Sequence, residues 1–202
     1  MSDDRTMNPL LQLAALQSGD EQALKMLWHD WAGKVQVFAR LQLVPCGAEA
    51  EALAQEVTAD VFLDLWRHPD RFDGRVAFGT WLLTLARNKA VDRLRQRRLG
   101  ATLQTELSEA AWQALPDDAP TPPEGLARQQ RRHGVLDCLR RLGNALQREA
   151  LMLWALEDMP LADIARLQNT PENTVKTRLF HGRRHLRDCL QQWLGREEGA
   201  TP

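Results

Sequence analysis

Apolar residues recur every three or four positions along most of this 202-residue chain, which is the period of an amphipathic α-helix. No segment rich in β-branched residues alternates between apolar and polar positions, as a half-buried strand would. The sequence therefore predicts an all-α fold. The predicted helices cover about residues 19–42, 48–67, 78–98, 126–142, 146–157, 161–168 and 171–194. Ser18 and Glu21 have the spacing of a capping box, so we expect Ser18 to cap the first of these helices.

The distribution of charge divides the chain into three parts. Residues 1–100 carry 13 basic and 13 acidic side chains, residues 101–125 carry five acids and no base, and residues 126–202 carry 13 bases and nine acids. The middle part also contains four prolines, which is typical of a linker. We therefore predict two small helical domains, at 1–99 and 126–202, joined by a flexible acidic and proline-rich linker at 100–125.

Composition restricts the class of protein. The formal net charge is only −1, and 44% of residues are hydrophobic, as in ordinary globular proteins. No apolar run is long enough to span a bilayer, and the N-terminus lacks a signal-peptide core, so we expect neither membrane insertion nor export. Cys46, Cys138 and Cys189 form an odd, scattered set. That set is typical of reduced thiols in a cytoplasmic protein.

The C-terminal domain contains the pattern of a helix-turn-helix. After the short helix at 161–168, Asn169 can close the helix in a left-handed conformation, Thr170 can cap the next helix, and Pro171 suits its first position. In such a motif the second helix lies in the DNA major groove. The positions predicted to point outward are Asn173, Lys176, Thr177, Phe180, His181 and Arg184, and those placed to grip phosphates are Arg178, Arg183 and Arg187. The alternative is a solvated basic helix.

The N-terminal domain combines bases with aromatic residues. Residues 87–98 hold six bases and one acid, and Phe72, Phe78 and Trp81 lie just before them beside a glycine-containing loop. Cationic residues next to aromatic rings suit single-stranded nucleic acid, whose backbone is charged and whose bases stack. The alternative is that Phe78 and Trp81 are simply core residues.

Metal-site and enzyme interpretations have weaker support. His181, His185 and Cys189 recur every four residues on one helix, but Cys189 falls about 80° around it from His181, and a Cys-x-x-Cys pair is missing. No nucleophile elbow, phosphate-binding loop or dinucleotide fingerprint is present. We therefore expect no catalytic residue, no metal and no cofactor.

Several motifs together resemble one bacterial family. Phe72-Asp-Gly-Arg75 and 86–95, Ala-Arg-Asn-Lys-Ala-Val-Asp-Arg-Leu-Arg, are similar to the promoter-melting region of extracytoplasmic-function (ECF) sigma factors of the sigma-70 family. The segments 148–153, Arg-Glu-Ala-Leu-Met-Leu, and 174–179, Thr-Val-Lys-Thr-Arg-Leu, resemble the domain that reads the −35 element in the same family. The resemblance covers about residues 10–98 and 126–194.

The resemblance implies a non-enzymatic transcription initiation factor that binds core RNA polymerase, directs it to promoters and assists melting. It implies core-polymerase binding by Glu56, Ala59, Asp60 and Asp64. It implies −10 recognition and melting of the non-template strand by Phe72, Arg75, Phe78, Asn88, Lys89, Asp92 and Arg95. It implies −35 recognition in duplex DNA by Asn173, Thr174, Lys176, Thr177, Arg178, Phe180, His181, Arg183 and Arg184.

The family also implies an anti-sigma factor as a partner. Two other functions agree with the residues themselves. One is a DNA-binding transcriptional regulator that acts without polymerase, and the other is an adaptor that binds polymerase without reading DNA.

Overall fold

The computed structural model describes the backbone of residues 9–103 and 123–198, with side chains at 9–97 and 130–194. The described residues form helices and no strand, which confirms the all-α prediction. The helices are α1 (Pro9–Gln17), α2 (Glu21–Gln42), α3 (Ala50–Arg67), α4 (Phe78–Leu103), α5 (Pro123–Arg140), α6 (Ala145–Glu157), α7 (Leu161–Leu167) and α8 (Glu172–Glu198), with 3-10 helices at Val44–Glu49 and Pro69–Arg71. Most of the predicted linker lies outside the described residues.

The chain forms two compact units, one within residues 1–110 and the other within 111–202. In the first unit, α2, α3 and α4 pack against one another around apolar side chains that are fully buried. Burial of each large apolar side chain contributes on the order of 1.5–3 kcal/mol to stability. This core contains Leu27, Val35, Phe38, Val57, Val61, Leu65, Leu82 and Leu83.

Helix α1 was not among the predicted helices. It packs on α2 and buries Leu13 and Leu16 at 4% exposure each. The buried Gln12 Nε2 donates to Asp30 Oδ2 at 3.5 Å. With only nine residues, α1 is too short for its apolar periodicity to be distinctive, and tertiary packing supports it.

The predicted capping box at Ser18 is wrong. Ser18 belongs to the end of α1, where its Oγ donates to Ala15 O at 2.7 Å. The cap of α2 is Asp20, whose Oδ1 accepts a hydrogen bond from Gln22 N at 2.8 Å. A carboxylate at this position also interacts favourably with the positive end of the helix dipole.

The second unit contains α5 to α8, and its core lies mainly between α6 and α8. Gly182 of α8 faces α6 so closely that a Cβ on it would lie 2.5 Å from Leu151 Cδ1. The absence of a side chain at Gly182 therefore permits this close packing. The core residues include Ala150, Leu151, Leu153, Met159, Ile164, Val175 and Leu179.

A disulfide between Cys138 and Cys189 corrects the expectation of three reduced thiols. Cys138 lies on α5 and Cys189 on α8, and the packing of these helices brings their Cα atoms to 5.8 Å, a separation suited to a disulfide. Their sequence separation of 51 residues concealed the pairing. Cys46 is the free cysteine of the described residues.

No helix in the described ranges is long and apolar enough to cross a membrane.

Candidate nucleic-acid interface

The turn between α7 and α8 has the geometry that a helix-turn-helix requires. Asn169 is left-handed, with a φ of 47°, as predicted, and Thr170 N donates to Ala165 O at 3.0 Å. Val175 N donates to Pro171 O at 3.3 Å. Pro171 therefore occupies the position before the helix rather than its first turn, one residue away from the prediction. That the Thr170 side chain caps α8 stays a prediction.

Helix α8 has the two faces that the sequence predicted. Val175 and Leu179 are buried at 0% and 2% exposure, and Leu186 is half-buried. Thr174 and Arg178 are half-buried too. The exposed residues at the start and middle of the helix are Asn173, Lys176, Thr177, Phe180, His181, Arg183 and Arg184. The helix can therefore place amide, hydroxyl, ammonium and guanidinium groups against a negatively charged duplex.

Arg178 hydrogen-bonds to the first of two linked polar side chains in the core of the second unit. Its Nη1 donates to Gln168 Oε1 at 2.6 Å, and Gln168 Nε2 donates to Glu149 Oε2 at 2.8 Å. Neither Gln168 nor Glu149 was predicted to be relevant to the interface. Gln168 is a polar residue at a position where the short helix should face inward. That mismatch was the sequence signal that could have identified it.

Arg183 lies against an aromatic ring. Its guanidinium carbon is 4.9 Å from the ring centroid of Trp154 on α6, a distance typical of a cation–π interaction. Trp154 is 37% exposed, and Phe180 on α8 is 61% exposed. The stacked position orders the Arg183 side chain at the protein surface.

Arg148 is buried and hydrogen-bonds to the turn between α5 and α6. Its Nη1 donates to Leu142 O at 2.7 Å, and desolvation lowers the pKa of its guanidinium. The motif at 148–153 therefore has a structural role in this unit, since it supplies buried residues to the base of the helix-turn-helix.

Four aromatic rings form a cluster at the start of α4. The Phe72 centroid lies 5.5 Å from those of both Phe78 and Trp81, and Trp31 lies 5.3 Å from Phe78. Phe78 is buried at 6% exposure, whereas Phe72 and Trp81 are half-buried. The core interpretation therefore holds for Phe78. Phe72 and Trp81 have ring surface at the edge of the cluster.

The loop before α4 has a tight turn. Gly74 has a φ of 73°, which glycine adopts without strain, and Arg75 N donates to Asp73 Oδ1 at 3.1 Å. The Arg75 side chain is 87% exposed and pairs with Asp73 at 3.2 Å. The turn therefore presents an exposed guanidinium three residues after Phe72 of the aromatic cluster.

On α4, the residues predicted to contact nucleic acid differ in their environment. Asn88 is exposed. Lys89 Nζ lies 3.4 Å from Asp64 Oδ2 on α3, and Asp92 Oδ1 lies 3.5 Å from Arg95 Nη1 one turn away. The bases therefore already have acidic partners within the unit.

The acidic residues of α3 form a ladder of ion pairs with α4 and the loop. Arg93 lies 2.8 Å from Asp60 and 3.3 Å from Glu56, and Arg71 lies 2.8 Å from Asp64. Ala59 is exposed on the same helix. The acids were predicted to bind polymerase and the bases to bind DNA, as two separate sets. In the structure these two sets meet at one surface.

A further pair extends this ladder. Glu49 and Arg97 form a hydrogen-bonded ion pair. The hydrogen bond from Arg97 holds the pKa of the Glu49 carboxyl below its usual value. Both side chains are largely exposed, so the pair contributes little to stability.

The histidine and cysteine side chains of the described ranges are not arranged as a metal site. Cys189 is bonded to Cys138, so it cannot supply a thiolate. Among the residues with described positions, no group of three or more His, Cys, Asp or Glu side chains is arranged to hold a metal ion.

Comparison with known sequences places both units in one family. The Sigma-70 region 2 family model matches residues 35–99, and the Sigma-70 region 4 family model matches residues 134–186. The chain is 31% identical over 138 residues to the ECF RNA polymerase sigma factor SigK of Mycobacterium sp. (strain JLS), covering 68% of this chain and 69% of that protein. It belongs to the ECF sigma factors.

SigK of Mycobacterium tuberculosis (strain ATCC 25177 / H37Ra) is 30% identical over 138 residues, which cover 68% of this chain and 72% of that protein. The sigma factor is therefore a non-enzymatic initiation factor that directs RNA polymerase to promoters. The chain is therefore assigned to a family of initiation factors and not to the regulators that act without polymerase.

Solved structures show the same fold. Sigma factor RpoE from Bartonella quintana, crystallised with the anti-sigma factor NepR, has a TM-score of 0.60 and 19% identity, covering 83% of this chain and 96% of that chain. CnrH, in complex with the cytosolic domain of CnrY, has a TM-score of 0.55 and 22% identity, covering 92% and 99%.

Proposed function

We propose that the two units divide the work of initiation, with residues 1–99 binding core polymerase and opening the −10 element and residues 126–202 reading the −35 element. The observation that carries this proposal is the helix-turn-helix, in which a left-handed Asn169 leads into a helix with a buried apolar face and an exposed polar face. Residues 100–125 connect the two units.

Core polymerase binds α3 in this proposal. The residues concerned are Glu56, Ala59, Asp60 and Asp64. Leu63 and Trp66, which are 43% and 37% exposed, extend this surface with apolar area. A helix that combines exposed apolar side chains with carboxylates suits a protein partner that offers both apolar and basic groups.

Promoter opening takes place at the loop and the start of α4. Phe72 supplies an accessible ring edge, Arg75 and Lys89 supply charge for the strand backbone, and Asn88 can hydrogen-bond an extruded base. Asp92 and Arg95 lie further along α4. Phe78 supports the loop from below, since its own ring is buried.

Promoter binding at −35 uses the exposed face of α8. Lys176 and Thr177 are placed to contact base edges, as are Asn173, Thr174, Phe180 and His181, because the first turns of a recognition helix enter the major groove. Arg178, Arg183 and Arg184 are placed for phosphates. The DNA affinity should therefore fall steeply as the salt concentration rises.

We place the sigma factor in the cytoplasm, where its polymerase and template are. The structurally similar RpoE was crystallised in complex with an anti-sigma factor, which supports a protein of this class as a partner here. The exposed surface of α3 is a candidate site for such a partner, because its binding there would exclude polymerase.

The test separates the two DNA-binding steps in holoenzyme reconstituted from the full chain and core polymerase. Lys176→Ala and Thr177→Ala should each weaken closed-complex binding about 5- to 50-fold, measured by filter binding. Asn88→Ala should leave the closed complex intact and reduce permanganate reactivity in the melted region. Gln191→Ala, exposed further along α8, is the control. Unchanged binding by Lys176→Ala, or equal losses in both assays by Asn88→Ala, would refute these roles.

A further inference from the structure

Gln168 lies where three elements of the C-terminal unit meet. It follows α7 at the turn of the helix-turn-helix and is only 8% exposed. Its Nε2 donates to Leu146 O and to Glu149 Oε2, both on α6 and both at 2.8 Å. Its Oε1 accepts from Arg178 Nη1 on α8 at 2.6 Å. One amide therefore connects α6, the turn and the recognition helix.

The chemistry of the partners fixes the orientation of the amide. The Leu146 carbonyl and the Glu149 carboxylate can only accept hydrogen bonds, whereas the Arg178 guanidinium can only donate them. A flipped amide would direct its NH2 group at the guanidinium and its oxygen at two acceptors. Gln168 therefore forms an ordered link from an anion to a cation, with its dipole aligned between them.

Neither leucine nor glutamate could make this link. Leucine would fill a similar volume but would leave Glu149, at 2% exposure, and Arg178 without the amide. The loss of a hydrogen bond at a buried charged group is costly. Glutamate would place a second carboxylate against Glu149, and like charges at such a distance repel.

We propose that Gln168 is a positioning residue for promoter recognition, because it holds the Arg178 guanidinium so that its remaining N–H groups contact a DNA phosphate next to the −35 element. Arg178 is half-buried, so its reach depends on this anchor more than that of the exposed Lys176. The inference rests on the proposed role of α8 in the major groove. It adds that a neutral residue outside the DNA-contacting face controls one ionic contact.

The test is a double-mutant cycle in reconstituted holoenzyme. The probe is a promoter fragment on which the wild-type holoenzyme initiates, and closed-complex affinity is measured between about 50 mM and 200 mM salt. The variants are Gln168→Leu, Arg178→Ala and the double variant. Gln191→Leu makes the same chemical change at an exposed position of α8 and should leave binding unchanged.

We expect Gln168→Leu and Arg178→Ala each to weaken binding about 5- to 20-fold, and the double variant to bind within about twofold of Arg178→Ala. Gln168→Leu should also reduce the slope of log affinity against log salt by about one, although glutamine carries no charge. A purely structural role for Gln168 would give multiplying losses and an unchanged slope, and either result would overturn the proposal.

Two further measurements keep the outcome interpretable. Circular dichroism checks that each variant is folded at the assay temperature, and Gln168→Met, with a flexible apolar side chain, replaces Gln168→Leu if that variant unfolds. If Arg178→Ala binds like wild type, the inference about Gln168 fails while promoter recognition stands. If Lys176→Ala and Arg178→Ala both bind like wild type, the proposed role of α8 itself fails.

Discussion

Gly182 determines how closely α8 approaches α6. The Cβ of any other residue at this position would meet Leu151 Cδ1 at 2.5 Å and Leu151 Cγ at 3.0 Å. Because protein cores are densely packed, such an overlap forces side chains or helices to shift. The absence of a side chain at Gly182 thus permits the packing that holds α8 against α6.

We predict that Gly182→Ala destabilises the C-terminal unit by about 1–3 kcal/mol. Thermal unfolding followed by circular dichroism measures the change. Gly143→Ala is the matched control, because nothing lies within 4 Å of a Cβ at that position. If Gly182→Ala leaves the melting temperature unchanged, the result would contradict the close packing of α8 against α6 at this position.

Single residues show why some local predictions succeeded. Asn169 was predicted to be left-handed, because asparagine tolerates that conformation and the helical pattern stops there. Ser18 was misassigned because it fits both the end of one helix and the start of the next. Without α1 in the prediction, the first of these roles could not be recognised, and Asp20 was overlooked as the cap.

Helices α5 and α8 are joined at two successive turns. The Cys138–Cys189 disulfide forms one contact, and one turn away the Trp193 ring lies 2.8 Å from a Cβ position on Gly134. Restriction of the unfolded chain by a disulfide stabilises the folded state more as the closed loop lengthens. The loop here spans 51 residues.

We predict that reduction of this disulfide by dithiothreitol destabilises the C-terminal unit by about 4 kcal/mol, which lowers its melting temperature by more than about 10 °C. Differential scanning calorimetry with and without the reductant measures the shift. Cys189→Ala should be insensitive to dithiothreitol, and Cys46→Ala should respond like wild type. A wild-type melting temperature unaffected by the reductant would contradict the prediction.

Helices α3 and α4 are linked by ion pairs that a binding partner could replace. Lys89 and Arg71 both contact Asp64, and Arg93 contacts Asp60 and Glu56. Partly exposed pairs of this kind contribute only about 0–1 kcal/mol each. Polymerase or DNA can therefore displace them at little cost.

Loss of an acidic partner should strengthen binding of single-stranded DNA. Asp64→Asn removes the charge that faces Lys89 and Arg71, so we predict about two- to fivefold tighter binding of a labelled oligonucleotide by the free chain at low salt. Fluorescence anisotropy measures the affinity. Glu21→Gln, an exposed carboxyl at the start of α2, should have no effect. Equal affinities for Asp64→Asn and wild type would show that these pairs do not mask the bases.

The elements were easier to predict than their contacts. The stripes of α2, α3 and α8 are long enough for helical periodicity to identify them, and the predicted bounds fall within a few residues of the observed ones. The pairing of Asp64 with Lys89, of Cys138 with Cys189 and of Gln168 with Arg178 depends on how helices pack. Periodicity within one helix contains no information about its neighbour.

The whole molecule combines two units whose sequences match region 2 and region 4 of the sigma-70 family in that order. The near-neutral net charge hides an uneven distribution, with the excess of bases in the C-terminal part. That distribution gives the C-terminal part a net positive charge, which attracts a negatively charged duplex. The family assignment could be predicted because the two sets of motifs occur together, whereas each set alone is less specific.

The most direct test of the central claim is run-off transcription with sigma-free core RNA polymerase on a library of genomic promoter fragments, with and without this chain. The account predicts transcripts with defined start sites only when both proteins are present, and sequence elements shared upstream of those sites. No transcripts, together with sequence-specific duplex binding by the chain alone, would contradict it and indicate a regulator that acts without polymerase.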